Sequence, residues 1–285
     1  MALAQRLNGE IVNADAMQLY RGMDIGTAKP TPADRALVPH HLLDVLDVTE
    51  PASVAVFQGQ ARSVIDEIRS RGRRPILVGG SGLYVRAVLD DFEFPGTDPA
   101  VRARLEGELA QVGAQALHLR LGASDPAAAA AILPSNGRRI VRALEVIELT
   151  GRPFTATLPA RAPVIEAVRI GLTVPRTDLV ERITHRVGQM WAGGLLGEVS
   201  DLIAHGLQEG RTAGRALGYA QAIDQLSGRC DEATAQAATV KATTAFAKRQ
   251  VTWFQRDPDV QWLAYDAPDL VEQAVDLVLA PRLAS

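Results

Sequence analysis

Short apolar runs alternate with amphipathic stretches over the first ninety residues. Glu10-Ile-Val-Asn-Ala14 is a short apolar strand, and a second strand is predicted at residues 42–46. Residues 54–71 carry Val56, Phe57, Ala61, Val64, Ile65 and Ile68 at helical spacing on one face, with Ser53 as cap and Gly72 as stop. Residues 75–79 read as a fully buried strand. This alternation predicts an α/β fold with a parallel sheet covered on both faces. Phe94-Pro-Gly-Thr-Asp-Pro99 breaks the pattern, and an Ala-rich helical stretch follows, with helices at 99–112, 114–121 and 126–132 before Pro134-Ser-Asn-Gly137. A helix at 138–150 and a strand at 168–172 then resume the core. From Asp178 the chain reads as long helices: one to 205, then 216–226, 231–254 and 270–279. The domains expected are a first core part at 1–95, a helical insertion at 96–137, and a mostly helical second core part at 138–285.

Composition narrows the class. The chain has 285 residues, 47% hydrophobic and 22% charged, as in soluble globular proteins. No run approaches the roughly 20 apolar residues of a membrane span, and the start lacks the pattern of a signal peptide, so a cytoplasmic location is the expected default. The single Cys230 has no partner for an intramolecular disulfide, and no Cys/His grouping has zinc-ligand spacing. His40 and His41 are adjacent and point to different faces, which fits hydrogen-bonded residues at a strand entrance better than metal ligands. A net charge of −3 argues against nonspecific coating of nucleic acid and leaves room for a local basic groove. The cations are nearly all Arg, which suits bidentate contact with phosphate.

The densest chemistry lies in Asp15-Ala-Met-Gln-Leu-Tyr-Arg-Gly-Met-Asp-Ile-Gly-Thr-Ala-Lys-Pro30, directly after the first strand, where ligands sit in α/β domains. A lone Asp15 there would usually cap a short helix; the block as a whole favours a site. Gln18 carries an amide that can pair with an adenine edge. Gly79-Gly-Ser-Gly82 follows a strand and opens a helix, a geometry that turns amides toward an anion, although such glycines also serve tight turns. Arg138, Arg139 and Arg142 place at least two cations on one helical face. Arg215-Ala-Leu-Gly218-Tyr219 joins a cation, a glycine and a ring able to stack on an unpaired base. Lys248-Arg249-Gln250-Val-Thr-Trp-Phe254 interleaves cations and aromatics; aromatics inward and cations outward is the expected arrangement.

Together these blocks resemble the bacterial tRNA dimethylallyltransferases. The family signature reads roughly ADSMQ-[VL]-Y-[RK]-G-[ML]-D-I-G-T-AKP, here with Ala16 in place of Ser. Pro39-His-His-Leu-Leu-Asp44, Pro75 to Tyr84, Asp98-Pro-Ala-Val-Arg102, Arg139 to Val146, Arg215 to Tyr219 and Ala247 to Phe254 match in order. The resemblance implies a P-loop NTPase-like parallel sheet with a helical insertion domain that clasps the anticodon stem. In the family a strand and a GPTxSGKS loop precede the helix whose end corresponds to Met1-Ala-Leu-Ala-Gln-Arg-Leu. That first strand and loop are expected to be missing here, through a start set too far downstream or a truncated relic gene. No G-x-x-x-x-G-K-[ST] occurs in the sequence, and diphosphate binding is expected to be poor without it.

By the same resemblance, a dimethylallyl group passes from dimethylallyl diphosphate to the N6 amine of the adenosine immediately 3′ of the anticodon. Asp15 is the implied base, and Ser81 and Arg186 lie near the leaving diphosphate. Asp15, Ala16, Met17, Gln18, Arg102, Arg138, Arg139, Ile140, Val141, Arg142, Arg215, Gly218, Tyr219, Lys248, Arg249 and Gln250 are the implied tRNA contacts. Mg²⁺ is the implied cofactor, with the loop and substrate phosphates as its main ligands, and a monomer is expected. The rivals are an inactive tRNA-binding relic, an adenylate isopentenyltransferase acting on free nucleotide, and a small-molecule kinase, for which no Walker loop is present.

Overall fold

The computed structural model describes residues 1–154 and 162–280. They divide into two compact units, Met1–Leu89 with Ile165–Ser285, and Asp90–Val164.

In the first unit, helix α1 (Ala2–Arg6) leads into strand β1 (Gly9–Asn13), whose five residues are all buried. Helix α2 (Pro32–Leu37) starts with a capping box in which Thr31 and Asp34 satisfy each other's backbone amides. Strand β2 is only His40–His41. The strand expected at 42–46 does not form, because Leu42 and Asp44 take positive φ values of 60° and 58° that end extended pairing. Helix α3 (Val54–Ser70) buries Phe57, Ala61, Ile65 and Ile68, with Ser53 as its cap. Val56, assigned to that face by the sequence, is instead exposed. Strand β3 (Arg74–Val78) and helix α4 (Gly82–Leu89) follow. The three strands form a parallel sheet in the order β2-β1-β3, with Ile11 beside His40 on one side and Ile76 on the other. Beneath it Val12, Leu19, Phe57, Ile65, Tyr84 and Val88 form one core cluster.

The second unit is a helical body. Helix α5 (Pro99–Ser124) is broken at Gly113, where φ is 81°, which accounts for the two helices expected there. Helices α6 (Pro126–Ala131) and α7 (Gly137–Thr150) complete it. The boundary expected at 137 moves to Val164, because α7 packs on α5: Ile140, Val141, Ala143 and Leu144 share one core with Leu105, Leu117 and Leu121.

The chain then returns to the first unit with strand β4 (Arg169–Thr173) and helices α8 (Arg176–Ala192) and α9 (Leu195–Ala204). A single helix was expected to 205; Gly193-Gly194 divides it, with Gly194 at φ 96°. A 3-10 turn at Ala213–Arg215, helices α10 (Tyr219–Leu226) and α11 (Glu232–Phe254), strand β5 (Val260–Ala264) and helix α12 (Leu270–Leu279) follow. Strand β5, absent from the sequence reading, pairs in parallel with β4. The α8, α9 and α10 helices enclose a second core of Ile183, Val187, Trp191, Leu195, Val199 and Ala222.

Strands β3 and β4 line a groove of about 1210 Å³ that also takes in Leu3, Phe254 and Val271. The full burial expected of β3 is not found: Arg74 and Val78 at its ends are exposed, since this edge of the sheet faces the groove.

Candidate active site

Buried β1 delivers Asn13, Ala14 and Asp15 at its carboxyl end. The Asn13 side chain accepts the Asp15 amide at 2.9 Å and donates to the Asp15 and Leu42 carbonyls at 3.1 and 3.0 Å. Asp15 Oδ1 in turn accepts the Met17 amide at 2.8 Å. The candidate base is thus fixed at both ends of its turn, with its second oxygen left for a ligand. The neighbouring end of β3 comes very close: the Ala14 amide donates to the Val78 carbonyl at 2.7 Å. A side chain at Gly79 would collide with the Ala14 carbonyl, so this position takes only glycine.

Ser81 is half-buried after that turn, and its carbonyl accepts the Tyr84 and Val85 amides to start α4. The first amides of α4 therefore lie at the carboxyl end of the sheet, the arrangement that suits an anion. Tyr84 is buried beside Asp15; burial, with the charge of Asp15, pushes its hydroxyl up to about 12. Arg186 stands on α8 at the flank of the face that buries Ile183 and Val187. The residue is exposed; desolvation lowers its pKa and the Asp15 carboxylate opposes that shift. The Asp15 carboxylate thus lies within electrostatic reach of the Arg186 guanidinium.

Gln18 is half-buried, and its Nε2 donates to the Thr27 carbonyl at 3.2 Å and the Ala28 carbonyl at 3.5 Å. Its amide nitrogen is thus engaged by the protein, and its Oε1 is the acceptor end of the amide. Ala16 and Met17 are half-buried on the same turn. From α11, Gln250 Nε2 donates to the Gly80 carbonyl at 3.1 Å, which ties this predicted tRNA contact to the glycine turn. Lys248 and Arg249 are exposed, and with Arg256, Thr252 and Trp253 they line a shallow depression. Trp253 and Phe254 are half-buried, as the inward reading of these aromatics requires.

Tyr219 corrects the sequence. Its ring is fully buried and its hydroxyl donates to Glu198 Oε1 at 2.6 Å, so it is not available to stack on a base. Gly218 precedes it at φ 88°, and Arg215 is exposed. In the second unit, Ile140 and Val141 are core residues whose side chains are removed from any RNA contact. Arg102 and Arg142 both bond Glu145 Oε2, the latter at 2.7 Å, and Arg142 also donates to the Pro95 and Gly96 carbonyls. Arg138 and Arg139 are the exposed cations of that helix. Sequence reasoning missed Asn13 and Glu198. The signal for Asn13 was an amide at the end of an otherwise apolar strand.

Both histidines have the hydrogen-bond partners expected of them: His40 Nδ1 meets the Val38 carbonyl at 2.7 Å and His41 Nε2 meets Glu10 at 2.6 Å. Among the described residues no group of three His, Cys, Asp or Glu side chains converges as a metal site. The implied Mg²⁺, expected to be held mainly by the phosphate-binding loop and substrate phosphates, calls for no such cluster.

Fold and family define an α/β transferase. The chain belongs to the IPP transferase family, whose model matches residues 18–257. It is 62% identical over 283 residues to a tRNA dimethylallyltransferase of Thermobifida fusca, covering 98% of this chain and 89% of the relative. A protein of the same name from Streptomyces avermitilis is 63% identical over 270 residues, covering 95% and 86%. The solved full-length tRNA isopentenylpyrophosphate transferase of Bacillus halodurans superposes with a TM-score of 0.69 at 42% identity, covering 97% of this chain and 89% of that one. A eukaryotic dimethylallyltransferase solved acting on tRNA shares the fold, with a TM-score of 0.76 at 24% identity over 96% of this chain and 73% of that one.

Proposed function

We propose that this protein transfers a dimethylallyl group from dimethylallyl diphosphate to the N6 amine of the adenosine immediately 3′ of the anticodon in tRNA. The names of the relatives support the reaction, and Asp15, held by Asn13 and by the Met17 amide at the carboxyl end of β1, is the observation that carries it in this chain. The adenine amine is a weak nucleophile because its lone pair is delocalised into the ring. An Asp15 oxygen accepting one of its N–H bonds raises its electron density and takes the proton as the new N–C bond forms. The allylic C–O bond breaks in the same step, and pyrophosphate leaves with its charge met by Arg186 and by the amides beyond Ser81. Lys248, Arg249 and Arg215 supply cations for the RNA backbone, and Gln18 an acceptor for a neighbouring base.

Transfer of labelled dimethylallyl groups to unmodified tRNA tests this. Asp15→Ala is expected to lower the rate by about 10²–10⁴-fold, the usual worth of a general base. Full transfer by Asp15→Ala removes Asp15 from this role. Strong competition by free AMP, with AMP itself modified, would assign the chain to free nucleotides instead.

A further inference from the structure

We infer that Glu198 is a positioning residue for Gln18, acting through the turn at Asp24-Ile25-Gly26. Its carboxylate, on the first turn of α9, accepts the amides of Asp24 at 3.1 Å, Ile25 at 2.7 Å and Gly26 at 3.4 Å, together with the Tyr219 hydroxyl at 2.6 Å. Among the described residues none of its partners is a cation. A partly buried carboxylate held only by dipoles is an expensive way to secure a turn, and charge-assisted bonds of this kind fix geometry closely. The turn also rests on the Tyr219 ring, since a side chain at Gly26 would overlap it. Burial and the bond to Glu198 both raise the Tyr219 pKa, so the phenol stays a donor.

The clamped amides lead directly to the carbonyls that hold Gln18. Thr27 Oγ1 donates to the Met23 carbonyl at 2.6 Å, and the Thr27 and Ala28 carbonyls accept Gln18 Nε2. With its nitrogen committed, Gln18 offers Oε1 outward, an acceptor that selects a base bearing an N–H donor. Glu198 therefore decides which end of the Gln18 amide the RNA meets, without touching RNA itself.

This rests on the proposed function, and a double-mutant cycle separates the two. Glu198→Gln replaces one acceptor oxygen with a donor that faces amide and hydroxyl donors. It is expected to raise the KM and Kd for tRNA about tenfold while kcat stays within about twofold. In a Gln18→Ala background the same substitution is expected to change neither KM nor Kd. Tyr219→Phe, which removes one donor and keeps the ring, is expected to act in the same direction, more weakly, and to vanish in that background too. Effects of Glu198→Gln and Gln18→Ala that multiply, or an unchanged KM in Glu198→Gln, overturn the inference. So does a raised KM in Glu198→Gln when Gln18→Ala alone has none. Wild-type protein that binds tRNA and transfers nothing refutes the proposed reaction, while the Kd cycle still reads the clamp.

Discussion

The buried Asn13 side chain makes three hydrogen bonds to backbone atoms, two of them to Asp15, the candidate base, and one to Leu42. Asn13→Ala leaves the Asp15 amide and the Leu42 carbonyl short of partners, a cost of roughly 1–3 kcal/mol. Denaturant melts are expected to show that loss, and transfer assays at saturating tRNA a fall of about tenfold in kcat, as expected when a base loses its orientation. An Asn13→Ala variant with wild-type kcat would mean that Asp15 finds its position unaided. Asp15 and Gln18 stood out in the sequence as a carboxylate and an amide just beyond a strand, whereas Ser81 and Arg186 came from the family resemblance. Asn13 and Glu198 did not stand out, since they act on main-chain amides and carbonyls that carry no residue identity. Tyr219 was misread for a related reason: a tyrosine after a glycine suits both an exposed platform and a buried strut, and only its 0% exposure decides.

At the scale of elements, the insertion is held by charge as well as by its apolar core. Glu145 on α7 is fully buried beneath Arg102 and Arg142. Burial alone would raise its pKa, but the hydrogen bonds and charges of the two arginines outweigh that and leave it below the ordinary 4.5. The stabilisation is therefore fully present above about 4.5 and is lost as pH falls through the lower folded value. In thermal melts the advantage of wild type over Glu145→Gln is expected to be largest near neutral pH and to shrink in acid; a constant difference would count against the ion pairs. Arg102→Met is expected to cost roughly 3 kcal/mol even without RNA, as when one partner leaves a buried pair. Helical periodicity located α3, α7, α11 and α12 to within a residue or two. It missed the break at Gly193-Gly194, because apolar residues continue in phase on both sides. It also missed α2, although Thr31-Pro-Ala-Asp34 spells a capping box, and β5, whose Val-Gln-Trp-Leu-Ala lacks an alternating face.

For the whole molecule, a net charge of −3 coexists with a cationic shelf of Lys248, Arg249 and Arg256 on and just beyond α11. Binding of tRNA should weaken with salt, and Lys248→Ala or Arg249→Ala should each make the logarithmic slope shallower by about one, equally for different tRNAs. A slope untouched by either change would place the RNA backbone elsewhere. The α/β class and the helical insertion were readable from the alternation of strands and helices. The division of the sheet into β2-β1-β3 and β4-β5 was not, since local pattern says nothing about which edges meet. The lysines carry a last consequence. Of three in the chain, Lys29 is sealed at 1% side-chain exposure between Asp24, Asp44 and the Tyr20 carbonyl. The other two, Lys241 and Lys248, are exposed and stand seven residues apart on α11, nearly in line and roughly 10 Å from each other. Any reagent that seeks side-chain amines thus finds one stripe of one helix, so a dye, a tether or a cross-linker attached this way has its place and bearing set by the fold.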